Sequence, residues 1–217
     1  MAWLGRQMTR IAAGLIRRAV RASTIGLSTG DHITRYWYYR HLATLQTPPA
    51  PGSRAVAISG SERLAGIFGY SGQQVLTIDY PESDLLSLRF ADNTFDALFT
   101  DQVVEHIAGD PFVAFAESFR VVKPGGLVVH ATVLIHPIHN YPIDCWRFSP
   151  TGLRLMAEPL GDIIDVGGWG HFWLWPYVLL GLLSIPIPHA RWHPLHKFAV
   201  HNDPSWPCVT WVVARKR

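Results

Sequence analysis

Residues 95–126 read FDALFTDQVVEHIAGDPFVAFAESFRVVKPGG, and this stretch decides the fold of the chain. Residues 95–99 are mostly apolar and predict a buried β-strand. A helical pattern follows, and a Lys-Pro-Gly-Gly turn separates it from an apolar run over 127–134 that predicts a second strand. The apolar residues at helical spacing are Phe112, Phe115, Ala116, Phe119 and Val122. Strand, helix and strand in this order predict a parallel βαβ unit.

Polar residues follow the first strand of this unit. Thr100, Asp101, Glu105 and His106 come directly after the apolar run. Parallel sheets bind ligands beyond the carboxyl ends of their strands. We therefore expect a functional site at this end of the strand.

Composition favours one soluble α/β domain with a basic N-terminal arm. The 217 residues are 48% hydrophobic and only 16% charged, with a net charge of +3. The excess charge lies mainly in residues 1–40, which argues against a nucleic-acid-binding surface spread over the fold. These arginines are Arg6, Arg10, Arg17, Arg18, Arg21, Arg35 and Arg40. Cys145 and Cys208 are far apart and form no Cys-x-x-Cys motif, which is typical of a cytosolic chain with free thiols.

The order of the motifs resembles the class I S-adenosylmethionine-dependent methyltransferases, in the branch called methyltransferase type 11. The resemblance rests on Phe95-Asp96, on Val104-Glu105-His106, on residues 117–126 and on the upstream segment SLRFADNTFD at 87–96. It covers about residues 55–161. It implies an α/β, Rossmann-like fold: a mostly parallel sheet with helices on both faces and a reversed final strand. It also implies S-adenosylmethionine as cofactor.

Two further strands are predicted upstream, AVAIS at 55–59 and VLTIDY at 75–80. Asp79 ends the second strand, where an acidic residue in a nucleotide-binding sheet accepts hydrogen bonds from ribose hydroxyls. The resemblance places Asp84 and Leu85 near the adenine and adds Thr100 and Asp101 to the cofactor site. Each acid, taken alone, is equally consistent with a solvated loop. The loop from Asp79 to Asp84 is too short for the usual crossover helix.

The first loop departs from the family pattern of an acid followed by Gly-x-Gly-x-Gly. Ala57 stands at the acid position, and Ser59 and Ser61 stand at two glycine positions with Gly60 between them. We assign Ser59, Gly60 and Ser61 to the cofactor. The departure also supports an alternative, a catalytically inactive relative that acts as a binding or membrane-surface scaffold. A nicotinamide-dependent oxidoreductase is disfavoured because the full glycine fingerprint is absent.

The segment HPIHNYPIDCWRF at 136–148 follows the last strand of the βαβ unit and resembles the family segment beside the acceptor. Its spacing matches no closed zinc pattern, so no metal site is predicted. The segment is either a substrate-positioning loop or a structural hydrogen-bond network. Histidines titrate near neutral pH and suit a general base for a hydroxyl acceptor. The catalytic candidates are His106, His136, His139, Asp144 and Arg147.

We predict an arm over residues 1–47 and a methyltransferase domain over 54–217, with an insertion at about 169–207. Residues 1–22 form an amphipathic pattern with Trp3, Leu4, Met8, Ile11 and Leu15 on one side. The arm and the apolar run 172–183 either pack on the protein, or across a homodimer, or lie on a membrane surface. The run is too short and too interrupted by proline to span a bilayer. We expect a cytoplasmic protein, possible membrane contact, and a small-molecule, glycan or lipid acceptor.

Overall fold

The computed structural model describes residues 2–140 and 142–217, with side chains from residue 12 onward. The helices are α1 (Ala2–Ala22), α2 (Ile33–Ala43), α3 (Glu62–Ile67), α4 (Pro111–Val121), α5 (Pro150–Ala157), α6 (Leu174–Leu179) and α7 (Pro194–Val200). The strands are β1 (Thr29–His32), β2 (Ala55–Ile58), β3 (Val75–Ile78), β4 (Phe95–Asp101), β5 (Val122–Val133), β6 (Gly161–Trp169), β7 (Pro186–Pro188) and β8 (Val209–Lys216).

The main sheet has six strands in the order β3-β2-β4-β5-β8-β6. Strands β3, β2, β4 and β5 are parallel, and β8 runs antiparallel between β5 and β6. The predicted Rossmann-like sheet with a reversed final strand is therefore confirmed. Between β3 and β4, residues 79–94 form turns, in agreement with the predicted lack of a crossover helix.

Helices cover both faces of this sheet because its central strands bury side chains on each side. Leu98 and Phe99 are neighbours on β4 and point to opposite faces. Leu98 packs in a cluster with Phe115 of α4 and Leu153 of α5. Phe99 packs in a second cluster with side chains of α2, α3, α6 and α7. Helices thus pack on both faces of the sheet, as the family resemblance implied.

Helix α4 shows how the deciding stretch folds locally. The Asp110 carboxylate accepts a hydrogen bond from the Phe112 N–H at 2.9 Å, and Pro111 occupies the first helical turn. After the helix, Gly125 has a φ of +80°. A Cβ atom at Gly126 would lie 2.7 Å from the Asp96 carbonyl oxygen, so this close approach requires glycine.

The second half of the arm belongs to the core. Ile33, Tyr38 and Leu42 of α2 are fully buried in the cluster that contains Phe99. The division at residues 1–47 and 54–217 stays a prediction, but α2 packs as part of the domain. Strand β1, within the predicted arm, pairs antiparallel with β7 of the insertion.

Helix α1 contacts the insertion. Arg17 donates a hydrogen bond to the Leu180 carbonyl oxygen at 3.0 Å, and Val20 packs against the core. The side chains of Trp3, Leu4, Met8 and Ile11 lie outside the described part of the chain, so the predicted apolar stripe is followed only from Leu15 onward. Of the described helices, none is long and apolar enough to cross a membrane.

Candidate functional site

The carboxyl ends of β2, β3, β4 and β5 meet at one edge of the sheet because these strands are parallel. The loops after β2 and β3 form one half of this edge, and the loops after β4 and β5 form the other half. The Ser59 N–H donates a hydrogen bond to the Ile78 carbonyl oxygen at 2.8 Å, which holds the first two loops side by side.

The loop after β2 is built from residues with unlike roles. Ser59 and Gly60 have φ angles of +51° and +79°, values that favour glycine. A Cβ atom at Gly60 would meet nothing within 4 Å, so the backbone faces open space there. Ser61 is buried, donates its hydroxyl hydrogen to the Ile58 carbonyl oxygen and accepts from the Asp101 N–H at 2.8 Å. Ser61 therefore ties β2 to β4.

The acidic residues after β3 also differ from one another. Asp79 is exposed, and its carboxylate has no hydrogen-bond partner among the described residues. Asp84 accepts from the Leu86 N–H at 2.9 Å and so shapes its own turn. Leu85 is buried in the core beside α4. Of these three predicted cofactor residues, Asp79 is the one whose polar group is free.

The side chains at the end of β4 are bonded within the protein. Thr100 Oγ1 lies 2.7 Å from His130 Nδ1, and both residues are fully buried. The Asp101 carboxylate accepts hydrogen bonds from Arg35 Nε at 2.8 Å, from the Tyr38 hydroxyl at 2.6 Å and from the Tyr39 hydroxyl at 2.5 Å. These three donors, at helical spacing on α2, were not anticipated from the sequence.

The loop after β5 folds back onto the loop after β4. The N–H groups of Cys145 and Trp146 donate to the Glu105 carbonyl oxygen at 2.9 and 3.0 Å. Trp146 Nε1 donates to the Ile107 carbonyl oxygen at 2.9 Å. These bonds bring together residues distant in sequence, and all five predicted catalytic candidates lie on the two joined loops. They are His106, His136, His139, Asp144 and Arg147.

Glu105 lies at the centre of this half of the edge. Its side chain is fully buried, and burial raises the pKa of Glu105 to about 7. Oε2 accepts from the Thr132 hydroxyl at 2.7 Å, while Oε1 has no hydrogen-bond partner in the described structure. His139 Nε2 lies 3.9 Å from Oε1 and His106 Nε2 lies 4.0 Å from it. Thr132 was not predicted as a site residue.

Asp144 and Arg147 form a bidentate ion pair within the loop after β5. Arg147 contacts both carboxylate oxygens, with Nη2 at 2.7 Å from Oδ2, and Asp144 also accepts from the His139 N–H at 2.8 Å. The bond from Arg147 holds the pKa of Asp144 well below its usual range. The His136 ring lies 4.7 Å from the His139 ring, and burial lowers the pKa of His136. The Arg147 guanidinium, a predicted catalytic group, is therefore paired within the protein.

Residues 40–130 match the model of a methyltransferase domain. Over 68 residues, the chain is 37% identical to cycloartenol-C-24-methyltransferase 1 of Oryza sativa subsp. japonica, covering 31% of this chain and 18% of that protein. Over 68 residues it is 35% identical to a ubiquinone biosynthesis O-methyltransferase of Cereibacter sphaeroides, covering 31% and 27%. The chain spans no more than 32% of the length of the curated relatives that it matches.

The fold is also similar to that of a solved enzyme. Geranyl diphosphate C-methyltransferase from Streptomyces coelicolor, solved with Mg²⁺, geranyl diphosphate and S-adenosyl-L-homocysteine, superposes with a TM-score of 0.51 at 13% identity. The match covers 83% of this chain and 77% of that one. Sequence motifs, the match over residues 40–130 and the sheet topology agree, and together they support the class I S-adenosylmethionine-dependent methyltransferase family.

Proposed function

We propose that this chain transfers a methyl group from S-adenosylmethionine, which it binds at the loops after β2 and β3. The observation that supports the proposal most strongly is Asp79. Its carboxylate is exposed and unpartnered in the described structure, and it directly follows β3. In this topology an acid at that position accepts hydrogen bonds from ribose hydroxyls.

We assign the nucleoside part of the cofactor to the loops after β2 and β3. The space beside Gly60 allows a ligand to approach the backbone, and Asp79 supplies the acceptor. Thr100 and Asp101 use their side chains within the protein, so their proposed role is to fix the end of β4 beside the cofactor. When bound, S-adenosylmethionine supplies an electrophilic methyl group. The protein's contribution is to hold the acceptor in line with that group.

We place the acceptor over the loops after β4 and β5. His106 and His139 direct their Nε2 atoms towards Glu105, and their side chains are 14% and 30% exposed. A hydroxyl acceptor that reaches these nitrogens could lose its proton to them. Asp144, held by Arg147, positions His139 by accepting a hydrogen bond from the His139 backbone N–H. The acceptor classes stay open: small molecule, glycan or lipid-linked.

A specific observation favours a membrane-bound or lipid-linked acceptor among these. Large apolar side chains are exposed on α1, on the turn after it and on the insertion. This apolar margin consists of Leu15, Ile25, Trp173, Leu179 and Trp192. The contact from Arg17 to Leu180, and the 3.2 Å bond between His193 Nε2 and the Ser23 carbonyl oxygen, join these segments. We propose that the margin rests on an anionic membrane surface.

Calorimetric titration with S-adenosylmethionine and S-adenosylhomocysteine tests the cofactor site. We expect Asp79→Ala to weaken binding by about 1.5–3 kcal/mol, the range for a hydrogen bond to a charged group. Glu82→Ala is the matched control, because Glu82 is an exposed acid in the same loop. Ser59→Gly should bind at least as tightly as the wild type because it relaxes a positive φ.

Two results would contradict this assignment. If Asp79→Ala and Glu82→Ala bind S-adenosylmethionine with equal affinity, Asp79 does not contact the cofactor. No heat of binding to wild type or to Ser59→Gly at millimolar ligand would favour an inactive relative that acts as a scaffold.

The acceptor side is tested separately with Asp144→Asn, which weakens the pair with Arg147. We expect its affinity for S-adenosylhomocysteine to stay within about twofold of wild type, because the loop lies across the edge from Asp79. Methyl transfer to phenolic, glycan or lipid hydroxyl acceptors should fall at least tenfold, about 1.4 kcal/mol. Loss of cofactor binding in a folded variant would move this loop to the cofactor side.

A further inference from the structure

Three lone-pair-bearing atoms converge on one point beside the loops after β4 and β5. Glu105, His106 and His139 each offer one such atom, and the three atoms lie within 4.8 Å of one another. We propose that these three residues bind a divalent first-row transition metal ion, with Zn²⁺ as the reference ion. Two imidazoles and a carboxylate form a ligand set that this class of metal accepts.

The hydrogen bonds of the two histidines fix which nitrogens are free. His106 Nδ1 contacts the Ile143 carbonyl oxygen, which only accepts, so Nδ1 carries the proton. His139 Nδ1 lies 3.2 Å from Asp144 Oδ2 and 3.2 Å from the Pro137 carbonyl oxygen, again both acceptors. In the neutral rings the Nε2 atoms therefore present lone pairs. Ring N–H groups held by carbonyl or carboxylate oxygens are typical of metal-binding histidines.

Glu105 provides the second, independent observation. Its side chain is fully buried, and Oε1 has no hydrogen-bond partner among the described residues although Oε2 is bonded to Thr132. A buried carboxylate oxygen without a partner is costly, because burial removes it from water without replacing the lost hydrogen bonds. Two nitrogen lone pairs facing this oxygen add to the cost. A cation at their centre would satisfy all three atoms.

The geometry needs only a small adjustment. Oε1 lies 4.0 Å from His106 Nε2 and 3.9 Å from His139 Nε2. Ligands bound tetrahedrally at about 2.1 Å from a metal lie roughly 3.4 Å apart, so each of these two pairs must close by about half an ångström. His139 is 30% exposed, which leaves an approach from solvent. Three protein ligands also leave a coordination position open, as in catalytic rather than structural sites.

A competing account keeps the same geometry without metal: a protonated Glu105 would share its hydrogen with one of the two rings. The two accounts differ in their response to metal, so the proposal is tested without cofactor or acceptor. Its outcome is therefore independent of the proposed methyl transfer. That the open position would receive an oxygen of the acceptor does rest on the proposed function, and in that state the metal rather than the two Nε2 atoms would promote loss of the acceptor's proton.

The experiment uses the full chain after treatment with a chelator. Zn²⁺ titration by calorimetry should give one site per chain, and Co²⁺ should produce visible absorption bands. His139→Ala should weaken Zn²⁺ binding at least 100-fold, whereas His136→Ala, a neighbouring histidine outside the triad, should change it less than threefold. Glu105→Gln should also weaken binding, with circular dichroism checking that each variant folds. Absence of Zn²⁺ binding to wild type, or equal losses in His139→Ala and His136→Ala, would overturn the proposal.

Discussion

The Tyr38 hydroxyl donates a hydrogen bond to Asp101 Oδ1 at 2.6 Å, and this contact fastens α2 to the end of β4. Asp101 Oδ2 accepts from Tyr39 and from Arg35, so one buried carboxylate holds three side chains of the same helix. Asp101 also donates its backbone N–H to Ser61. Asp101 thus connects the N-terminal arm to the first loop.

This network predicts a large stability loss in Asp101→Asn. The change leaves the Arg35 guanidinium beside a neutral group and offers the two tyrosines a weaker acceptor. Breaking a buried ion pair typically costs about 3 kcal/mol or more, so the free energy of unfolding in urea should fall by about 3 kcal/mol. Asp162→Asn removes an exposed ion pair with Arg217 and should cost less than about 1 kcal/mol. Equal losses in the two variants would contradict the prediction.

A second prediction concerns His130, whose ring is completely buried beside Thr100 and Phe115. Burial lowers the pKa of His130 from 6.5 to about 3. Between these values the unfolded chain binds a proton that the folded protein does not. The contribution of His130 to the free energy of unfolding should therefore be fully retained above pH 6.5 and fall by up to about 1.4 kcal/mol per pH unit below it.

The variant His130→Asn isolates this effect, because its amide keeps a hydrogen-bonding group beside Thr100 but does not titrate. Urea unfolding at pH 7, 6 and 5 should show that wild type loses stability relative to His130→Asn as the pH falls, while the opposite effect of Glu105 is common to both proteins. Val128→Ala, a truncation in the same strand, should lower stability by a similar amount at every pH. A pH slope in His130→Asn equal to that of wild type would show that another group is responsible.

The sequence predicts well those elements whose pattern of apolar and polar residues lies within one short stretch. Strand β4 and helix α4 follow from apolar spacing within one stretch, whereas residues 123–126, predicted as a turn, form the irregular beginning of β5. The site at the carboxyl edge followed from the βαβ order, and the loops after β4 and β5 do lie together there.

The contacts that the sequence did not predict join distant segments. His139 lies 3.9 Å from Glu105 although 34 positions separate them, because β5 runs parallel to β4 and returns the chain to the same edge. Zinc motifs are recognised by fixed spacings between their ligands, and the separation of Glu105 and His139 matches none of them. The roles of Ser61 and of the α2 tyrosines likewise depend on which strand end each one reaches.

The last prediction tests the membrane surface with vesicles. The apolar margin should insert into the headgroup region, while exposed arginines of α1 attract anionic lipid at about 1 kcal/mol per residue. Wild-type protein should co-sediment with vesicles rich in phosphatidylserine at low salt and be released as salt rises. Arg18→Gln with Arg21→Gln should weaken binding by about 2 kcal/mol, or roughly thirtyfold. Leu179→Ser should weaken it too, whereas Leu155→Ser, at an exposed position on α5, should not. If the wild type stays in the supernatant at low salt, the membrane proposal fails. If the protein then sediments as a dimer without vesicles, a second copy of the chain covers the apolar margin.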